Sequence, residues 1–347
     1  MLEVDIYKNF GDFTLDLDFI ADRTVLAILG GSGSGKSLTL KTIAGIINPD
    51  RGRIVLDGKI LYDSKKKINL RPQDRHIGFL FQDYALFPNM TVYENIKTGL
   101  RDRGKEGLVE KIIGEMNLSK VKNSYPREIS GGEKQRCALA RILINEPRIL
   151  LLDEPFSAID TYLRWHIEVF VKDIISKYDI PTLFVSHDRD EVYRMSQDLV
   201  IIKNGKIAEK NPTKEVFKKP KSLAGAELIG CKNFSKLKKI GPNIYKALAW
   251  DLDLTLNKVD ENDLIGIRGE DIEISDREIS RNSYNLKLIS EVEEISTYSL
   301  IIKKRDLKTP SNLKVTIEKT KWKDLRSRSD LYFTINEEKL LYLENKV

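Results

Sequence analysis

The sequence predicts an α/β domain with a largely parallel sheet and a helical insertion, followed by a small all-β barrel. Three observations carry this. Continuous apolar runs of strand length alternate with segments of helical periodicity over the first 220 residues, as strands buried on both faces and their crossover helices should. Glycine-rich turns sit where such strands end. After about residue 230 the texture changes to short alternating segments separated by turn residues.

In order, Val25–Leu29 is a buried strand that enters Gly30-Gly-Ser-Gly-Ser-Gly-Lys-Ser37, and Leu38, Leu40, Ile43 and Ile46 follow at helical spacing. Ile54–Leu56 and Ile60–Tyr62 flank Asp57-Gly58, a hairpin whose turn tolerates positive φ. Ile77–Phe81 is a further strand. Residues 92–145 read as mostly helical, with Leu108, Val109, Ile112, Ile113 and Met116 on one apolar face. Ile149–Leu152 and Thr182–Ser186 are buried strands. Between them Asp160 is placed to cap a helix bearing Leu163, Ile167, Phe170 and Ile174. Asn204-Gly205 marks a last hairpin. The barrel segments are Ile244–Ala247, Leu264–Ile267, Leu286–Ile289, Ser299–Ile302, Leu313–Ile317, Leu331–Ile335 and Leu340–Leu343. These bounds give domains at 1–220 and 234–347, a linker at 221–233 and an insertion at about 84–145.

Composition narrows the class. The chain has 347 residues, 41% hydrophobic and 32% charged, which excludes disorder as its main state. No apolar run reaches the ~18–20 residues of a membrane-spanning helix. The Met-Leu-Glu-Val-Asp start carries no secretory leader pattern. Two cysteines, Cys137 and Cys231, fit a reducing compartment and support neither a disulfide framework nor a cysteine-rich zinc site. The net charge of +6 is spread as 36 basic against 32 acidic residues in 1–229 and 22 against 20 in 230–347. Such dilution argues against nucleic acid as a partner.

Gly30-x-x-x-x-Gly35-Lys36-Ser37 between a strand and a helix is a phosphate cradle. Its glycines let successive N–H groups converge on an anion, and the helix adds the positive end of its dipole. Gly30, Gly31, Ser32, Gly33, Ser34, Gly35 and Leu38 form the cradle. Lys36 reaches the β- and γ-phosphates, and the Ser37 hydroxyl ligates Mg²⁺. The strand Ile149–Leu152 aims Asp153 and Glu154 at the sheet's ligand-binding edge, Asp153 toward the metal and Glu154 as general base for the attacking water. Ser130-Gly131-Gly132-Glu133 opens another helix and makes a second anion-binding N-terminus. One triphosphate needs one P-loop. The economical resolution is that the second cradle closes over nucleotide held by another copy of the chain.

Taken together, these motifs resemble the ATP-binding subunits of ABC transporters: the P-loop, the signature Ser130-Gly-Gly-Glu-Lys-Gln-Arg136, the acidic strand end, Ser157-Ala-Ile-Asp160 and Ser186-His187-Asp188 stand in the family's order over residues 1–220. The resemblance implies an ABC-type P-loop NTPase, hydrolysis of ATP with Mg²⁺, a head-to-tail dimer, and a place on the cytoplasmic face of a membrane beneath a separate permease fed by an extracellular binding protein. It assigns Gln82 to the metal and the water, His187 to the γ-phosphate and the base, Asp160 to the dimer interface, and Phe10 to the adenine stack with Phe13 as runner-up. The signature departs from Leu-Ser-Gly-Gly-Gln at Ile129 and Glu133; the latter suits the helix dipole but adds a charge near an anionic nucleotide. Residues 82–95 resemble the permease-docking segment of importer ATPases, with Tyr84, Leu86, Phe87 and Met90 forming the groove. The C-terminal part resembles importer ATPases with a molybdate-pterin-type barrel, which implies an oxyanion cargo, molybdate or tungstate first and sulfate next. The alternatives are sugar, polyamine or ferric-iron import, or a soluble ABC protein outside transport. The glycine usual near Leu286–Leu288 is missing, and Asn336-Glu-Glu338 is acidic, so the barrel is expected without a working oxyanion site; Ser280 and Arg281 are its weak candidates.

Overall fold

The computed structural model describes residues 1–22, 25–100, 106–157, 159–257, 259, 264–307, 309 and 311–344. Ala158 and the side chains of 161–163, including Leu163 of the expected apolar face, lie outside the described residues. The chain divides into two compact units that part between Lys214 and Glu215.

The first unit is built on an eleven-stranded sheet. Its parallel core runs, in spatial order, Asp198–Lys203, Val25–Gly30, Thr182–Ser186, Ile149–Asp153 and Ile77–Leu80. Ile149–Asp153 and Thr182–Ser186 are buried at every position, so both faces must be covered. Antiparallel hairpins extend the sheet on the far side, led by Leu2–Asn9 with Thr14–Ala21. Their turns are those the sequence requires: Asp57-Gly58 takes φ 48° and 79°, and Asn204-Gly205 takes φ 50° and 76°.

Helix α1, Lys36–Ala44, follows the P-loop and buries Leu40 and Ile43. They join one core with Leu2, Val4 and Ile6 of the hairpin and Leu26, Leu151 and Val185 of the parallel strands. Ile46, expected on the same face, lies beyond the helix end at Gly45 and is 47% exposed. The end of α1 is held by Arg75, which is 1% exposed. Its guanidinium donates to the carbonyls of Thr42, Ile43 and Leu70 and to Asn69 Oδ1. Burial pushes its pKa down to about 10, still far above neutrality, so a full positive charge faces the negative end of the helix dipole. Arg75→Met would strand those carbonyls in the core, and a loss of about 3 kcal/mol is expected, read as an earlier midpoint in urea unfolding.

The insertion consists of α2, Val92–Lys97, α3, Gly107–Glu115, and α4, Gly131–Leu143, with irregular and 3₁₀ segments between them. Of the expected apolar face, Val109, Ile112, Ile113 and Met116 are buried. Thr91 and Glu94 cap α2 reciprocally. Helices α5, Thr161–Tyr178, and α6, Arg189–Met195, complete the crossovers.

The second unit is all-β, as expected: two five-stranded antiparallel sheets wrap one core that includes Trp250, Trp322 and Phe333. Segment 221–233, expected as a linker, holds a helix, Leu223–Leu228, capped by Ser222. Ala226 of that helix packs with Cys231, Leu264, Leu341 and Leu343.

Candidate active site

Four neighbouring parallel strands end side by side, and each delivers one functional turn: Gly30 opens the P-loop, Ser186 leads to His187, Asp153 to Glu154, and Leu80 to Gln82. Register fixes their depth, with Leu29 opposite Ser186, Val185 opposite Asp153 and Leu152 opposite Leu80. This is the carboxyl edge where ligands bind in open α/β sheets.

Ser32–Leu38, Glu154 and His187 line a pocket of about 470 Å³. Gly33 and Gly35 adopt φ 74° and 103°, which turns the loop back on itself. A Cβ on Gly31 or Gly33 would meet nothing within 4 Å, so the cradle is open on that side. Ser34 Oγ is buried without a hydrogen-bond partner. Lys36 is 7% exposed, and its ammonium donates to the carbonyls of Gly30 at 2.9 Å and Gly31 at 3.0 Å. Burial draws its pKa down, opposed by the charges of Glu154 and Asp153. Burial likewise pushes Asp153 up, opposed by the 2.7 Å hydrogen bond from Ser37 Oγ. Desolvation therefore works against both charged forms. A polyanion accompanied by a hard divalent cation relieves both, and the Ser37 and Asp153 oxygens are the donor type Mg²⁺ takes.

Glu154 lies one residue past the strand with φ 47°, a left-handed conformation that costs a non-glycine residue roughly 1–2 kcal/mol. That turn points its carboxylate across the pocket mouth. Oε2 sits 3.3 Å from His187 Nδ1 and 3.4 Å from Gln82 Nε2. The structure thus brings Glu154, His187 and Gln82 together. Gln82 meets Glu154 rather than the Ser37–Asp153 pair expected to share its metal.

Ser130 caps α4. Its Oγ accepts from Glu133 N at 3.3 Å, while Glu133 Oε2 accepts from Ser130 N at 2.8 Å and Oγ at 2.7 Å. The Ser130 backbone N–H, then its hydroxyl, hold the Glu133 carboxyl below its usual pKa. Glutamate in the signature is therefore a capping-box residue here. Gly132 is buried against Ile167, while Ser130 is exposed. None of residues 130–133, nor Asp160, lines the P-loop pocket among the described residues. Asp160 directly precedes α5 and is exposed. Phe10 is 39% exposed in the hairpin turn beside the P-loop, and Phe13 packs within 2.9 Å of where a Gly35 Cβ would stand.

In the 82–95 segment Phe87 is 47% exposed, but Tyr84 is only 5% exposed and turns inward, so it does not contribute to the expected docking face. Two residues that no motif marks, Asn95 and Arg141, hold this segment. The second unit carries a larger cleft, about 1210 Å³, that includes Ser280, Arg281 and Glu337. Five carboxylates and three basic side chains line it, so it is the acidic surface that Asn336-Glu-Glu338 foreshadowed. Neither a P-loop nor a histidine is among the residues that line it.

The sequence profile described as ABC transporter matches residues 15–157. The chain is 38% identical over 237 residues to a probable sulfate/thiosulfate import ATP-binding protein, CysA, of Chlorella vulgaris, covering 66% of this chain and 98% of that protein. It is 38% identical to the molybdate/tungstate import ATP-binding protein WtpC of Archaeoglobus fulgidus, covering 67% and 95%. The molybdenum import ATP-binding protein ModC of Rhodospirillum rubrum is 37% identical, with 63% of this chain matched to 60% of that protein's length. Among solved structures, the dimeric ATP-binding cassette MJ0796 bound to ADP and Pi superposes with a TM-score of 0.52 at 24% identity, covering 61% of this chain and 99% of that one, which shows the fold. The chain belongs to the ABC transporter family, and its first unit is an ATPase cassette of that family.

Proposed function

We propose that this chain is the ATP-hydrolysing subunit of an ABC importer, working as a head-to-tail dimer against a separate permease at the cytoplasmic face of a membrane. The observation that carries the reading is the convergence of Lys36, Glu154 and His187 on one pocket at adjoining strand ends, with Asp153 joined to the pocket's Ser37 by a 2.7 Å hydrogen bond. The P-loop amides and Lys36 bind the triphosphate of ATP. Ser37 and Asp153 would hold Mg²⁺, which when bound supplies charge neutralisation at the phosphates. Glu154 accepts the proton of the attacking water, and His187 and Gln82 fix the carboxylate that does so. Phe10 stacks on the adenine. Ser130–Glu133 and Asp160 come from the second copy, since in one chain they stand outside the pocket. Among the described residues no helix is long and apolar enough to cross a membrane. The separate permease docks on residues 82–95.

The proposed cargo is an oxyanion, molybdate or tungstate first and sulfate next, after the relatives named for those imports. A polyamine is the second reading, favoured by the carboxylate excess of the C-terminal cleft and by a spermidine/putrescine import relative of Clostridioides difficile, PotA, at 37% identity. Whether tungstate or spermidine alters ATP turnover of the chain reconstituted with its permease separates the two.

Binding itself is tested on the purified chain. MgATP at one hundred times its dissociation constant should stabilise the cassette by about 2.7 kcal/mol, seen as a raised melting temperature. Lys36→Ala should erase that shift without lowering the melting temperature of the nucleotide-free chain. An equal shift in the variant would overturn the phosphate assignment.

A further inference from the structure

Helix α4 starts at the Ser130–Glu133 turn and reaches Arg141 about 16 Å further on, at ~1.5 Å per residue. There the guanidinium leaves the helix. Nη1 donates to the Ala85 carbonyl at 2.8 Å and Nη2 to the Tyr84 carbonyl at 3.0 Å. Its carbon also lies 5.5 Å from the centroid of the Phe87 ring.

Those carbonyls belong to two consecutive non-glycine residues in the left-handed region, Tyr84 at φ 63° and Ala85 at φ 44°. Side chains with a Cβ disfavour that backbone, and two in succession persist only where the surroundings over-determine them. The turn carries a second cost, because the Tyr84 hydroxyl is buried without a hydrogen-bond partner. The neighbouring stretch is secured from elsewhere: Asn95, fully buried in α2, accepts from Phe87 N and donates to the carbonyls of Phe87, Met90 and Thr91. Segment 87–91 is thus stapled to α2, while the strained pair is gripped from α4. The α4 backbone lies close against Gly99, where a Cβ would come within 2.0 Å of the Arg141 carbonyl oxygen. The Arg141 side chain is the part that can let go. Two residues before Tyr84 stands Gln82, in contact with Glu154.

From this placement we infer that Arg141 is a positioning residue, a latch that holds the strained Tyr84–Ala85 turn and so ties α4, whose far end carries the signature turn, to the segment bearing Gln82 beside the catalytic carboxylate. A partner segment seated on the exposed ring of Phe87 covers the aromatic that the guanidinium leans on, and acts on the latch directly. When the grip loosens, the turn relaxes and α4 is freed from Gln82. The identity of the pressing partner rests on the importer reading above; the latch is a property of the chain alone.

Hydrogen exchange followed by mass spectrometry on the full chain tests it, with Arg141→Ala, Arg141→Lys and Ala85→Gly. In Arg141→Ala the amides of 84–90 and of 134–140 should exchange at least tenfold faster together, with the rest of the cassette unchanged. Affinity for ADP should hold while kcat for ATP falls at least tenfold. Arg141→Lys, with one ammonium for two carbonyls, should retain part of both. Adding Ala85→Gly to Arg141→Ala should restore protection over 84–90, because glycine adopts the left-handed turn without strain. Two results overturn the latch: faster exchange confined to 84–90 with 134–140 and kcat at wild-type values, or a uniform rise across the cassette in both the alanine and lysine variants. A wild-type chain that hydrolyses no ATP would refute the importer reading, and the paired exchange windows would still decide the latch.

Discussion

Glu154→Gln is expected to keep ATP binding, lower turnover by about two to three orders of magnitude, and leave the protein trapped as an ATP-bound dimer. Removing a general base costs ~10²–10⁴-fold when nothing replaces it. Here little can. His187 and Gln82 both face Glu154 Oε2, so their geometry serves the carboxylate and supplies no second one. Asp153 is engaged with Ser37 Oγ and is absent from the residues that line the pocket. Glutamine has the same length and branching and keeps an oxygen for His187 or Gln82, so the left-handed turn at 154 should survive. Nucleotide affinity, set by the P-loop and Lys36, should stay within about twofold, and ATP should shift the variant to dimer size in gel filtration while ADP does not. Wild-type turnover in Glu154→Gln would remove Glu154 from the role of base.

What the sequence made legible was what local physics decides. Ile149–Leu152 and Thr182–Ser186 read as doubly buried strands because every position is apolar or small, and all are buried. The Asp57-Gly58 and Asn204-Gly205 turns were readable because few other pairs accept their φ values. The P-loop was readable because its glycines are a chemical necessity. Tertiary meaning was not. Tyr84 sits among aromatic residues that look like a docking face, and only the packed insertion turns it inward. Arg75 and Arg141 carry no motif, since each acquires its role from carbonyls distant in sequence. The helix Leu223–Leu228 was missed because Lys219-Pro220 and Gly230 dominate its surroundings as breakers, while its short apolar face is completed by Leu264, Leu341 and Leu343.

The proposed sharing of one site between two chains has the second large consequence. Among the described residues, none of the signature turn lines the pocket that Lys36 lines. If each site joins one chain's Lys36 to its mate's Ser130, two defects must combine differently according to whether they share a chain. In mixed dimers with Lys36→Ala on one chain and Ser130→Ala on the other, one site keeps both groups and its twin loses both. With both substitutions on one chain and a wild-type mate, each site lacks one group and none is whole. Glu154→Gln in all chains prevents hydrolysis, so the count of occluded ATP per dimer reads the sites directly: one is expected in the first arrangement and none in the second. Losing the Ser130 hydroxyl should weaken occlusion about tenfold to a hundredfold, as a hydrogen bond to a charged group is worth ~1.5–3 kcal/mol; the lost cap on α4, about 1 kcal/mol, lowers the stability of the chain instead. One ATP in the same-chain arrangement and none in the split one would mean that each chain completes its own site, and the head-to-tail dimer would have to be abandoned.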